Sequence, residues 1–164
     1  MLYSSPSKGA ATAVQVLFLD FDGVMHPEFC HESKHFVHLN TFETVIRAAP
    51  HIELVISSTW RQKRSLDELK ALFTADVVAR IVGATPLYAQ LEEVPDTLHG
   101  FEREAECRAW LHQHGRAAQE WLALDDRSWN FRPFNPHVLL VDGEVGLDAD
   151  AAAKLAARIY GAMA

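Results

Sequence analysis

Two aspartates one residue apart close the most apolar run of the chain. The stretch VLFLDFDGVMHPE, residues 16 to 28, delivers Asp20 and Asp22 from the end of Val16–Leu19 and follows them at once with Gly23. Side chains alternate along an extended chain, so Asp20 and Asp22 can share one space while Phe21 points away. One carboxylate in such a pair can attack phosphorus, and the other can hand a proton to the leaving oxygen. Gly23 lets the backbone turn away without a Cβ in its path.

Two more apolar runs end in polar residues. Ile52–Ile56 runs into Ser57, Ser58 and Thr59, and Trp121–Leu124 runs into Asp125 and Asp126. If the three runs are neighbouring parallel strands, their polar ends meet, because open α/β sheets gather functional groups beyond the carboxyl ends of their strands. Up to four carboxylates then share one mouth, and like charges so close cannot all stay ionised unaided. A hard divalent cation with oxygen ligands relieves them, and Mg²⁺ suits few carboxylates, some waters and a phosphate oxygen. It also lets a phosphate dianion approach bare aspartates. Mg²⁺ is therefore the expected cofactor, with Asp20, Asp22, Asp125 and Asp126 as its candidate ligands.

The elements that must carry these residues alternate. Val14–Leu19, Ile52–Ile56, a segment within Val77–Val82 closed by Gly83, Trp121–Leu124 and Val138–Val141 read as strands. Asn40–Ala49 reads as a helix, with Asn40 as cap and Glu43 as its capping-box acid, and Pro50 ends it. Ser65 and Glu68 form a second capping box, opening a helix to about Phe73. Arg103–His114 reads as a helix with Cys107, Trp110 and Leu111 on one face. Asp148 caps a last helix, Ala149 to about Tyr160. Residues 85–101, with Pro86, Pro95 and Gly100, read as a long loop. The strands are apolar runs rather than alternating patterns, the mark of a parallel sheet covered on both faces. The expected fold is α/β, with a central five-stranded parallel sheet.

Half of the 164 residues are apolar, enough for one buried core. Residues 14–164 are therefore expected to form a single domain, and residues 1–13, small and polar, a flexible tail. The net charge of −7 argues against a surface coated in positive charge for nucleic acid or anionic membrane, while leaving room for a local basic patch. No apolar stretch approaches the roughly 20 residues of a membrane span, and the start lacks the apolar core of a signal peptide. The two cysteines, Cys30 and Cys107, read as free thiols of a reducing compartment, which makes a cytoplasmic location the expectation.

The quoted residues resemble a known family. LDFDGV resembles motif I of the haloacid dehalogenase (HAD) superfamily of phosphohydrolases, VISSTWR looks like its motif II, and ALDD looks like its motif IV. The order and spacing match over residues 14–141. DFDGVMH, SSTWR, the REAEC…WL helix, LALDD and the late EVGL are similar to HAD domains of RNA-repair proteins and polynucleotide 3′-phosphatases. The resemblance implies a three-layer Rossmann-like HAD fold and a phosphatase working through an aspartyl-phosphate. It implies Asp20 as nucleophile and metal ligand. Asp22 becomes general acid and then base, with its backbone carbonyl on the metal. Ser57 becomes a donor to a phosphoryl oxygen, and Asp126, supported by Asp125, the third metal ligand. The family's motif III lysine has no counterpart, since no lysine lies between Lys70 and Lys154. Arg103 is the candidate substitute. The segments after motifs I and II leave no room for a large cap domain. Capless sites of this kind act on large substrates or borrow a lid from a partner subunit, so a homo-oligomer is one expectation. The loop 85–101 is the best local candidate for a partial lid.

Other residues carry two readings each. Trp60, Arg61, Lys63 and Arg64 form either a basic, stacking edge for a nucleic-acid end or a solvated helix start beside a core tryptophan. Arg61, nearest the site, and Ser58 are the substrate-binding candidates. Trp110 and Trp121 read as core, and Trp129 as either core or contact. His26, just past the motif, is either a substrate contact or a purely structural residue. Cys30, His31, His35 and His38 suggest a metal cluster, but their spacing fits no standard zinc pattern. The expected partner is a phosphorylated substrate, foremost a nucleic-acid end. The rival to an enzyme is a catalytically weak HAD-fold module that binds phosphate or protein. A receiver-like signalling domain would also cluster aspartates around Mg²⁺, but it has no duty for Asp22.

Overall fold

A computed structural model describes residues 13–160. Of the expected tail, residues 1–12 lie outside the described residues. Five strands form one sheet: β1 (Val16–Leu19), β2 (Glu53–Ile56), β3 (Ile81–Ala84), β4 (Trp121–Asp125) and β5 (Val138–Leu140). Their order across the sheet is β3-β2-β1-β4-β5, and every pairing is parallel. The helices are α1 (Leu39–Arg47), α2 (Leu66–Lys70), α3 (Ala75–Val78), α4 (Glu102–Gln113) and α5 (Ala149–Tyr160).

Alternation along the strands sorts the core into two layers. Leu17 and Leu19 of β1, with Leu54, Ile56, Leu122 and Leu124, face a cluster completed by Phe42 and Ile46 of α1, Leu69 of α2, Val77 of α3 and Leu155 of α5. Val16 and Phe18, with Val55, Trp121 and Ala123, face Cys107, Trp110 and Leu111 of α4. Phe18 meets the edges of Trp110 and Trp121 at ring separations of 5.9 and 5.6 Å, so both tryptophans are core as expected. Each fully buried aliphatic or aromatic side chain contributes roughly 1.5–3 kcal/mol, so β1, buried on both faces, is a rigid mount. The three-layer α/β architecture expected from the sequence is the one observed. Between Gly23 and β2, and between β2 and β3, the described chain holds only short helices and turns, with no inserted cap domain.

Several local expectations are corrected. Asn40 lies inside α1, whose N-cap is His38 with no side-chain cap bond. Glu43 is instead buried and accepts hydrogen bonds from the Thr74 N–H (3.0 Å) and hydroxyl (2.7 Å). The third strand starts later than Val77. Val77 and Val78 lie in α3, and Gly83 is within β3 rather than closing it. Tertiary anchoring overrides their β-propensity: Arg47 of α1 grips Asp76 and Thr74, which fixes the start of α3 and buries Val77. The capping serine Ser65 and the Asp148 cap of α5 are present as expected. Among the described residues no helix is long and apolar enough to cross a membrane.

Candidate active site

The sheet register brings the polar strand ends together. Leu19 of β1 pairs with Ile56 of β2 on one side and Leu124 of β4 on the other. The next residues, Asp20, Ser57 and Asp125, therefore stand in a row across three neighbouring strands. Ser57 N–H donates to the Leu19 carbonyl (2.9 Å) and Asp20 N–H to that of Leu124 (3.2 Å), which fixes the row. Carboxylate oxygens of Asp20, Asp125 and Asp126 lie within 4.8 Å of one another.

The two acidic residues at the end of β4 are held differently. Both oxygens of Asp125 have partners: Oδ1 accepts from the Arg127 N–H (2.9 Å) and Oδ2 from Arg103 Nη1 (3.0 Å). The buried Asp126 Oδ1 has no hydrogen-bond partner among the described residues. Asp126 also sits in a cradle that only glycines can make. A Cβ on Gly23, where φ is +76°, would lie 2.1 Å from Asp126 Oδ2, and one on Gly143 would lie 2.6 Å away. Burial, then the neighbouring Asp20 charge, push both Asp125 and Asp126 up to about 7. An all-oxygen donor set, an orphaned buried carboxylate oxygen and a cradle cleared of Cβ atoms together fit a hard divalent cation.

Arg103 comes from the first turn of α4 into the middle of this cluster. Its Nη1 lies 3.4 Å from Asp20 Oδ1 as well as 3.0 Å from Asp125, and its Nε lies 3.4 Å from Glu106 Oε1 one turn along the helix. Burial works against its charge, but Asp20, Asp125 and Glu106 outweigh it and raise its pKa. The cation facing the aspartates is thus an arginine, at the position the sequence singled out.

Asp22 is gripped by two donors. Trp60 Nε1 donates to Oδ2 (3.1 Å), and His26 Nε2 lies 2.8 Å from Oδ1. The His26 Nδ1 accepts the Phe36 N–H (3.2 Å), so the network assigns its ring proton to Nε2, facing Asp22. The His26 hydrogen bond, outweighing burial and joined by that from Trp60, lowers the Asp22 pKa. Nothing in the chain's order signals the Trp60 contact: 38 residues separate donor and acceptor, and only the β1–β2 pairing brings them together.

Of the remaining candidates, Ser57 is buried in the row beside Asp20. Ser58 Oγ accepts the Trp60 N–H (3.3 Å) and caps the turn Thr59–Gln62. Arg61 turns inward. It donates to the carbonyls of Ser57, Ser58, Thr85 and Pro86 and pairs with Glu106, tying the ends of β2 and β3 to α4. Arg64 lies over the Trp60 ring at 4.7 Å. The loop 85–101 packs along α4, with Tyr88 N–H on Glu106 (3.0 Å), rather than over the aspartates. Glu106, which serves both buried arginines, escaped the sequence reading, although its i,i+3 spacing from Arg103 was a usable signal.

The suspected metal cluster forms only in part. His26, Cys30 and His35 bring ligand atoms within 4.8 Å of one another. Both His26 nitrogens already carry hydrogen bonds, to Asp22 and Phe36. His31 turns to Ser33 and His38 to the Val145 carbonyl.

A parallel Rossmann-like sheet with acidic residues at the ends of β1 and β4 and a serine at the end of β2 is the arrangement of a HAD-type domain. Residues 16–152 match the family model described as the HAD domain in Swiss Army Knife RNA repair proteins. The chain belongs to that family of the HAD superfamily. No curated protein and no solved structure matches it.

Proposed function

We propose that this domain is a Mg²⁺-dependent phosphatase that works through an aspartyl-phosphate on Asp20, with a 3′-phosphate end of a nucleic acid as its substrate. The observation that carries the reading is the convergence of Asp20, Asp125 and Asp126 within 4.8 Å around the orphaned Asp126 oxygen. The family description, which names RNA repair proteins, supports the choice of a nucleic-acid end.

Asp20, Asp126 and the Asp22 carbonyl would hold the ion, with Asp125 behind them. Bound there, Mg²⁺ offsets the clustered negative charge and favours a phosphate oxygen beside it. An Asp20 oxygen attacks phosphorus, and the bond from phosphorus to the leaving oxygen breaks as Asp22 supplies that oxygen's proton. Asp22 must be protonated for this step, and a phosphate dianion beside it raises its pKa by like charge. A water then attacks the phosphoryl group, Asp22 takes its proton, and the bond to Asp20 breaks to release phosphate. The grip of His26 and Trp60 on Asp22 favours the ionised state this second step needs. Arg103 holds Asp20 and Asp125 apart from mutual repulsion, and Arg61 keeps the Ser57 loop in place. The Ser57 hydroxyl donates to a phosphoryl oxygen, and Ser57→Ala should lower kcat/KM about 10²-fold, read from steady-state kinetics.

Titration of the cluster gives a second test. Burial and the Asp20 charge push the Asp125–Asp126 pair up from the ordinary 3.8 to about 7, so the folded protein holds a proton on the pair that the unfolded chain has lost. Their contribution to stability is therefore present below 3.8 and is lost as pH rises to about 7. In EDTA, thermal melts between pH 5 and 8 should fall more steeply for the wild type than for Asp126→Asn, and Mg²⁺ should recover the wild type at pH 8. Parallel melts with no effect of Mg²⁺ would remove the shared cation site.

The substrate is tested by assaying 3′- and 5′-phosphorylated oligonucleotides against sugar and nucleotide monophosphates, with Mg²⁺ and with EDTA. Preference for the 3′-phosphate is the expected result. Tight binding without turnover of any of them would replace the phosphatase with a binding module.

A further inference from the structure

Three aromatic side chains stand in solvent, Phe29, Trp129 and Phe134, and two of them neighbour the acidic residues: Phe29 lines a cavity with Asp22 and Arg127, and the Trp129 ring lies against Arg127. Phe29 is 94% exposed and Trp129 is 66% exposed. Phe29 also holds a left-handed backbone, φ +58°, which a bulky side chain adopts only under strain. Phe36 shares that conformation, φ +61°, but packs edge-on against Phe21, Trp60 and Phe73, so its strain has a structural return. Phe29 has none.

Arg127 connects the two aromatics to the site. Its N–H holds Asp125, its guanidinium pairs with Glu28 (2.6 Å), and it lies 5.9 Å from the Trp129 ring. Arg127 and Phe29 line one cavity of about 170 Å³ with Asp22 and His35. That cavity adjoins Asp22, the proposed proton donor to the leaving oxygen. No inserted cap domain covers it among the described residues.

A leaving group here meets an acidic mouth in a chain of net charge −7. Charge alone cannot hold a polyanion in such a place. Stacking can, since every nucleobase offers a neutral π-face and an arginine adds cation–π attraction and one phosphate contact. We propose that Phe29 and Trp129 stack the terminal bases of a single-stranded nucleic-acid end and thereby set the leaving-group specificity of the site. This inference rests on the phosphatase reading above and goes beyond it in naming the residues that select a base.

The test separates the two. Asp20→Asn protein, unable to turn over, is titrated against a fluorescently labelled single-stranded oligonucleotide ending in 3′-phosphate, and against the same strand with an abasic terminal nucleotide. Anisotropy should show about tenfold weaker binding of the abasic end. Adding Phe29→Ala or Trp129→Ala should cost about tenfold on the base-bearing end and little on the abasic one, and Phe29→Tyr should restore binding. Equal affinity for the two ends, or no effect of either alanine, would overturn the stacking and leave the exposed aromatics to a protein partner. Wild-type turnover of glycerol phosphate reports on the phosphatase reading by itself. Turnover without any base effect removes only the stacking, and a base effect without turnover removes only the phosphatase.

Discussion

Replacement of Asp20 by asparagine is expected to lower turnover by at least about 10⁴-fold while leaving the fold intact. The amide keeps the shape of the side chain but lacks the charge and nucleophilicity that attack on phosphorus needs. The fold should tolerate it because Asp20 itself belongs to neither hydrophobic layer, and its core neighbours Leu19 and Phe21 keep their packing. Removing one of three clustered carboxylates also relieves repulsion on Asp125 and Asp126, both of which Asp20 pushes up. Thermal midpoints in EDTA at pH 8 should therefore stay level or rise as turnover disappears. Substantial activity in this variant would leave the covalent mechanism without its nucleophile.

Arg103→Met, by contrast, is expected to cost stability as well as activity. The arginine is buried and faces three carboxylates, those of Asp20, Asp125 and Glu106. Removing one partner of a buried ion pair leaves the others uncompensated, at about 3–5 kcal/mol. Urea unfolding in EDTA should show that loss, and Mg²⁺ should restore part of it by taking over the role of countercharge to Asp20 and Asp125. Arg103→Lys keeps the charge but not the planar fork that meets Asp125 and Glu106 together, so it should fall between the two. Wild-type stability for the methionine variant would mean that the cluster does not depend on this cation.

The strands that matter most were legible because they are buried on both faces. VLFL, LVI and WLAL have no polar alternation, and each stops at a polar residue, so the ends of β1, β2 and β4 could be read from the chain. Arg103 was reached by a different route, from the missing lysine of the family pattern, and its contact with Asp20 depends on where the first turn of α4 meets the sheet. The boundary of β3 was not legible. Val77 and Val78 favour strands, but Arg47 and Glu43 of α1 anchor Thr74 and Asp76 and wind them into α3. Nor could the sequence show that Arg61 turns inward, since SSTWR looks like a solvated loop until five oxygen acceptors close around the guanidinium. The Asp126 cradle was half visible. Gly23 sits in motif I, whereas Gly143, 17 residues beyond Asp126, looked like an ordinary turn.

The most direct measurement is a rapid acid quench of the enzyme during turnover of a phosphoryl-labelled substrate with Mg²⁺ present, followed by peptide mapping. The account predicts transient label on the peptide bearing Asp20, stable in acid and released by hydroxylamine, and no label in Asp20→Asn. Steady phosphate release with no labelled protein at any time, and undiminished in Asp20→Asn, would contradict it.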